Sequence, residues 1–266
     1  MNNKLTIAQL KDISRGQLLG RYGIAIGAVA ASNGIVMTAT IFCSLLTTQY
    51  TVAGQIIAFL VSMILDVLSG IFVLGLTYFF LNFVCNRPCF VSDIFYGFRN
   101  HTNKALAVRF LTTAIQIIFM LPFIVCAGFY TVKESSALFL LICVTGVIGV
   151  ILCEYITLVY SQAYFIMLDF PGYNTRKIMS TSRQIMKGNK ARMFYAQVTL
   201  IPYSLLAFLS CGIAMLWIIP YKNVIFTNFY LDLCTESTPY SVLSYDQVCI
   251  IFYNFLIRST ASTVFS

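Results

Sequence analysis

Long apolar runs separated by short polar connectors dominate the chain. They cover roughly Tyr22–Leu46, Ile56–Phe83, Leu106–Gly128, Leu138–Tyr160, Phe194–Cys211 and Ile213–Leu231. A helix that crosses a bilayer needs about 20 residues, so the pattern predicts six spans in three hairpins. The connectors differ in kind. Thr47–Thr51 carries no charge, and Lys133 and Glu134 cancel in the connector after the third run. The N-terminal arm, the Asn86–Arg109 segment and the Asp169–Arg192 segment are basic instead. Cytoplasmic loops favour Lys and Arg, which predicts a cytoplasmic N-terminus and, with six spans, a cytoplasmic C-terminus. Ala28-Val29-Ala30 mimics a cleavage pattern, but too few apolar residues precede it for a signal peptide. The first run is expected to be a retained span.

The basic segments carry helical periodicity of their own. Between Arg176 and Lys187, Ile178, Met179, Ile185 and Met186 share one helical face and Arg176, Arg183 and Lys187 the opposite one, with Ser182 in the apolar face. This predicts an amphipathic helix in the interface plane, cations toward lipid headgroups, and a small gap at Ser182 for another helix. The three basic segments also resemble one another: Ser14-Arg15 leads to Gly20, Ser92-Asp93 to Gly97 and Ser182-Arg183 to Gly188. Each glycine is expected to cap a helix C-terminus before the chain turns into a span. Tyr78–Asn82 and Tyr164–Asp169 end the second and fourth spans alike. The expected fold is therefore all-α, a polytopic transmembrane bundle of three units, each an interfacial helix plus a hairpin. The units are 5–83, 91–168 and 174–233 within a single membrane domain, 1–233. A tail, 234–266, follows with a short apolar stretch, Val248–Ile257, half the length of a span.

Composition settles the class. Of 266 residues 59% are apolar and 10% charged, with a mean hydropathy of +0.84, against about 45–50% and about 25% in soluble domains. No room remains for a soluble catalytic domain. The net charge of +8 sits beside the apolar runs and speaks for orientation and anionic lipid rather than nucleic acid. The nine cysteines mostly lie in apolar runs as small hydrophobes. Cys85 and Cys89 with His101, the sole histidine, lack the spacing of a zinc site. No phosphate-binding glycine loop and no H-E-x-x-H motif occurs, so no cofactor, metal or enzymatic activity is expected.

Ionisable residues inside spans are the functional suspects, because a charge at bilayer centre costs roughly 2.5–3.5 kcal/mol. Asp66 falls in the middle of the second run and Glu154 in the inner half of the fourth. They are candidates for an ion pathway, with Lys222 as a pairing cation, or for neutral interhelical hydrogen bonding. Arg176, Lys177, Arg183, Lys187, Lys190 and Arg192 are candidate headgroup contacts. Asp169 is expected to cap the turn at Pro171, and Pro220-Tyr221 to kink the sixth span. These residues suit a non-enzymatic scaffold, regulatory or lipid-engaging component with a membrane or ATPase partner. The alternative is a small transporter or a transporter's membrane subunit.

A resemblance adds to this reading. Met167-Leu168-Asp169-Phe170-Pro171, then Ser182–Lys190, then Gly212-Ile213 with Leu216-Trp217 and Pro220-Tyr221, then Asn228–Leu233 follow the order and spacing of an uncharacterised bacterial integral-membrane family. The chain thus resembles domain of unknown function 975, most strongly over Tyr155–Leu233. It departs in carrying Tyr203 and Ser204 where the family tends to place Trp. The resemblance implies a multipass bacterial membrane protein and assigns no activity.

Overall fold

In the computed structural model the described residues are 5–46, 52–132, 135–210 and 212–237. The expected connectors at Thr47–Thr51 and Lys133-Glu134, Cys211 and the apolar stretch Val248–Ile257 lie outside them. All regular structure among the described residues is helical: α1 Ile7–Leu18, α2 Tyr22–Leu46, α3 Val52–Val84, a 310 turn Val91–Phe95, α4 Tyr96–Arg99, α5 Thr102–Val132, α6 Ser136–Tyr160, α7 Ala163–Asp169, α8 Thr175–Ile185, α9 Lys190–Val198, α10 Ile201–Leu209 and α11 Met215–Ser237.

Local chemistry sets the ends. Thr6 caps α1 reciprocally: its hydroxyl accepts from the Gln9 amide at 3.3 Å, and its own amide donates to Gln9 Oε1 at 2.8 Å. Gly20 after α1 and Gly188 after α8 adopt φ of +76° and +86°, as the repeated serine-to-glycine spacing predicts. Gly97 does not play that part. It lies inside α4, where a Cβ would meet the Ile71 carbonyl oxygen at 2.3 Å, and a Cβ on Gly75 would meet that of Ile94 at 1.8 Å. The middle segment therefore lies flat on α3, and its glycine serves close approach instead of a cap.

Among the described residues, four helical stretches are long and apolar enough to cross a membrane: Tyr22–Leu45, Ala53–Val84, Thr102–Tyr130 and Ser136–Asp169. Within this set α2 packs on α3 and α5 on α6, and α3 also packs on α5. The fifth predicted run is divided between α9 and α10 around Thr199-Leu200, and the sixth falls in α11, which continues through Pro220.

Burial divides the molecule into two layers. Along α2 the last buried residues are Val29 and Ser32, and Ile35 is the first exposed large apolar residue beyond them; along α3 Leu68 is exposed and Ile71 buried. The same change falls between Val108 and Phe110, Tyr155 and Leu158, Leu200 and Ile201, and Trp217 and Tyr221. On one side, Ala28, Leu74, Ile94, Val108, Ile166 and Ile225 join a single core. On the other, apolar helices stand with little but their hairpin partners to cover them. Exposed Leu, Ile and Phe in such continuous bands is what acyl chains cover.

Candidate functional site

Asp66 projects from α3 at the border between the two layers. Gly70, one turn further on, lets α5 come close: a Cβ there would lie 2.7 Å from Arg109 Cβ and 3.2 Å from the Ala105 carbonyl oxygen. That contact brings Arg109 alongside. Its Nε donates to Asp66 Oδ2 at 3.1 Å, one terminal nitrogen donates to Oδ1 at 2.5 Å, and Thr113 Oγ1 donates to Oδ2 at 2.6 Å. The carboxylate thus holds a two-pronged ion pair plus a hydroxyl, the strong form of charged pairing, with both side chains about a third exposed (34% and 37%). Sequence reasoning placed Arg109 in a connector and missed this partner. The available signal was the i, i+4 spacing of Arg109 and Thr113 on one face of α5.

The other two candidates stand apart. Glu154 is half-buried in α6, without a hydrogen bond or ion pair among the described residues. Lys222 is exposed on α11, its ammonium 5.3 Å from the Phe226 ring centroid. No contact links Asp66, Glu154 and Lys222 into one path.

The predicted headgroup cations separate into two groups. In α8, Ile178, Met179 and Ser182 are buried while Arg176, Lys177 and Arg183 are exposed, as is Lys187 in the turn just after it. The apolar face meets protein, not lipid, because α8 packs on α5, α6 and α7. Ser182 supplies the expected gap, its hydroxyl donating to the Val159 carbonyl at 2.9 Å. Several cations are held by tyrosines. Arg183 donates to Tyr160 Oη at 2.7 Å, Lys190 to Tyr155 Oη at 2.6 Å and Arg15 to Tyr203 Oη at 3.1 Å, while Lys177 sits 3.9 Å over the Tyr173 ring. Cations paired with tyrosine hydroxyls suit the level of the headgroups.

Arg192 is the exception. It is not a headgroup contact but one half of a buried ion pair, donating to Asp232 Oδ2 at 2.5 Å with side chains 17% and 4% exposed. It also donates to the Leu5 carbonyl, and the Leu5 amide donates to Asp232 Oδ1 at 3.2 Å. One pair ties the start of the chain to α9 and α11. Nearby, Asn228 donates to Ser14 Oγ at 2.9 Å and to Gln17 Oε1 at 2.8 Å.

Asp169 also departs from expectation. Its buried carboxylate accepts from the Tyr230 hydroxyl of α11, and no hydrogen bond joins it to the turn at Pro171. That turn is held by Lys104, whose ammonium donates to the Pro171 carbonyl at 2.5 Å. Tyr221 is buried and packs edge-on against Tyr203 at 6.3 Å. His101, directly before α5, has φ of +59°; burial, then the Lys104 charge, lowers its proton affinity below that of a free imidazole. The Tyr96 phenol, stacked 3.9 Å from Tyr78, is pushed up to about 12 by burial and then by that neighbour.

A cleft of about 350 Å³ opens between α2 and α3, lined by Thr40, Cys43, Ser44, Gln55, Phe59 and Ser62. The hydroxyls of Thr40, Ser44 and Ser62 donate to carbonyls of their own helices, which leaves the cleft without hydroxyl donors aimed inward.

Comparison with known proteins returns one family. The family model described as "Protein of unknown function (DUF975)" matches residues 4–237. No curated protein and no solved structure matches.

Proposed function

For a chain that belongs to the family of unknown function DUF975, we propose the role of a non-enzymatic membrane platform: its packed end lies at the cytoplasmic face of a bacterial inner membrane and binds anionic headgroups there. The observation that carries this reading is α8. Its apolar stripe is used up against α5, α6 and α7, so Arg176, Lys177, Arg183 and Lys187 are left as an exposed cationic face beside exposed apolar helices. Each Lys or Arg near an anionic surface contributes about 1 kcal/mol. A platform of this kind positions a membrane or ATPase partner or marks a lipid composition, and it needs no reacting group.

The test is native mass spectrometry of the full chain released from bilayers of equal anionic and zwitterionic lipid. Retained lipid is expected to be mainly anionic, and the triple variant Arg176→Ala, Lys177→Ala, Lys187→Ala to lose that bias. Equal retention of both lipids by the unsubstituted protein would refute the reading. A transporter reading draws support only from Glu154, half-buried and without an ion pair among the described residues, because the Asp66 carboxylate is already engaged by Arg109 and Thr113. It requires a proton or cation flux in liposomes that Glu154→Gln abolishes.

A further inference from the structure

We propose that α10 and the first turn of α11 form a hairpin that enters only the leaflet facing the packed end and returns to the side it came from. Its occupant is the acyl layer of that leaflet, and the described residues cross the membrane four times.

Both feet of the hairpin are fixed at the charged surface. On the way in, Lys11 donates to the Thr199 carbonyl at 3.4 Å and Arg15 to Tyr203 Oη at 3.1 Å. Two cations of α1 thus mark where α10 begins. On the way out, Lys222 is exposed, and beyond it α11 returns to α1 through Asn228, Ser14 and Gln17 and to α9 through Asp232 and Arg192. A full crossing between Tyr203 and Lys222 would carry α11 away from the α1 and α9 residues it bonds.

Length gives the same answer. α10 has 9 residues, and at 1.5 Å per residue an arm of that size reaches about 13 Å. The hydrocarbon layer is about 30 Å thick, so the tip stops near its middle. The tip is strongly apolar: Phe208 is 86% and Leu209 79% exposed, with Leu205, Ile213 and Trp217 around them.

An irregular turn survives in hydrocarbon only if its polar backbone is satisfied internally. This one meets that condition at its described amides. The Ser210 amide donates to the Leu206 carbonyl at 3.0 Å, Gly212 to Ala207 at 2.8 Å, Ile213 to Ser210 at 3.1 Å and Met215 to Gly212 at 3.0 Å. The Ala214 amide donates to Ser210 Oγ at 3.0 Å. Gly212, at φ of +88°, makes the reversal. The tip exposes the same kind of large apolar side chains as α2, α3, α5 and α6, which argues for lipid over a separate protein partner.

Trp217 is the only tryptophan, which makes depth directly measurable. In full-length protein carrying Trp217→Phe with Phe208→Trp, and in a second variant with Leu209→Trp, emission is read in vesicles whose lipids carry bromine at chosen depths along the acyl chain. The expected result is strongest quenching by bromines near the chain ends, with no quenching by acrylamide from either face. Strongest quenching by bromines near the headgroups, with acrylamide access, would place the tip at an interface and overturn the proposal. Emission untouched by every brominated lipid and by acrylamide would put the tip against protein, which also overturns it.

Discussion

Removing one partner of the Arg192–Asp232 pair is expected to cost more than removing both. Asp232 is nearly fully buried and Arg192 mostly so. Arg192→Leu takes the guanidinium away from the Asp232 carboxylate, and Asp232→Leu leaves a guanidinium over the Phe229 ring, 5.0 Å from its centroid. Orphaning a buried charge in this way costs about 3–5 kcal/mol. At roughly 2–4 °C per kcal/mol for a chain of this size, that lowers the unfolding midpoint by about 6–20 °C. The double variant Arg192→Leu/Asp232→Leu removes both charges and leaves the Leu5 amide and carbonyl short of a partner, a cost of about 1–3 kcal/mol. The assay is thermal unfolding in detergent micelles, with hydrogen exchange of residues 5–10 as a second readout, because the pair fixes the start of α1. A double variant whose loss equals the sum of the single losses would refute the reasoning, as would single losses under about 0.5 kcal/mol, the range of ordinary surface substitutions.

Other expectations follow from the same contacts. Gly75→Ala sets a methyl against the Ile94 backbone and should destabilise by about 1–3 kcal/mol, while Gly16→Ala, exposed in α1 with open space around it, should stabilise by up to about 1 kcal/mol; equal midpoints for the two would refute the close approach of α3 and the 310 turn. Because His101 binds a proton less readily when folded, the unfolded chain takes up more protons below the free imidazole value of about 6.5. Stability should therefore fall as pH drops below about 6.5 and stay flat above it, and His101→Asn, which tolerates positive φ, should remove that dependence in midpoints measured across the window. For Asp66→Asn and Arg109→Gln the single losses should be near 1 kcal/mol, since both side chains are about a third exposed, with the double variant no worse than either single. Ser182→Leu should push α8 off the Val159 carbonyl and raise protease cleavage between α7 and α9; unchanged cleavage would exclude that contact as the anchor of α8.

What could be read in advance was local. The serine-to-glycine spacing foretold the left-handed caps at Gly20 and Gly188 because a cap depends on a few neighbouring residues. The two faces of α8, and the gap at Ser182, followed from helical periodicity alone. What escaped was set by contacts between distant segments. Arg109 looked like a connector cation until Gly70 brought α5 against α3. Asn228 sat inside an apolar run and Asp232 directly after it, so their bonds to Ser14, Gln17 and Arg192 across the chain were invisible to a hydropathy average. Gly97 stands one residue closer to its serine than Gly20 and Gly188 do to theirs, and α3 presents Ile71 opposite it, so it serves close approach and not a cap.

The depth of Asp66 shows why position along a run is a poor measure of position in a membrane. α3 has 33 residues, about 50 Å of helix, well beyond the ~30 Å of hydrocarbon. Counting from the ends puts Asp66 near the centre. The burial pattern puts it one turn before Gly70 and Ile71, where α3 leaves the exposed apolar layer and enters the packed one. The surplus length of α3 lies in the packed layer, against Ile94 and α4. A carboxylate at that border meets an arginine from the same level of α5, and tyrosines hold Arg15, Lys190 and Arg183 along the edge of the packed layer. The ion pair therefore costs far less than a charge at mid-membrane, and its presence argues for a headgroup-level boundary more than for a conduction path. The same boundary sets the depth of the α10–α11 hairpin, so a measured depth for Phe208→Trp tests the placement of Asp66 as well.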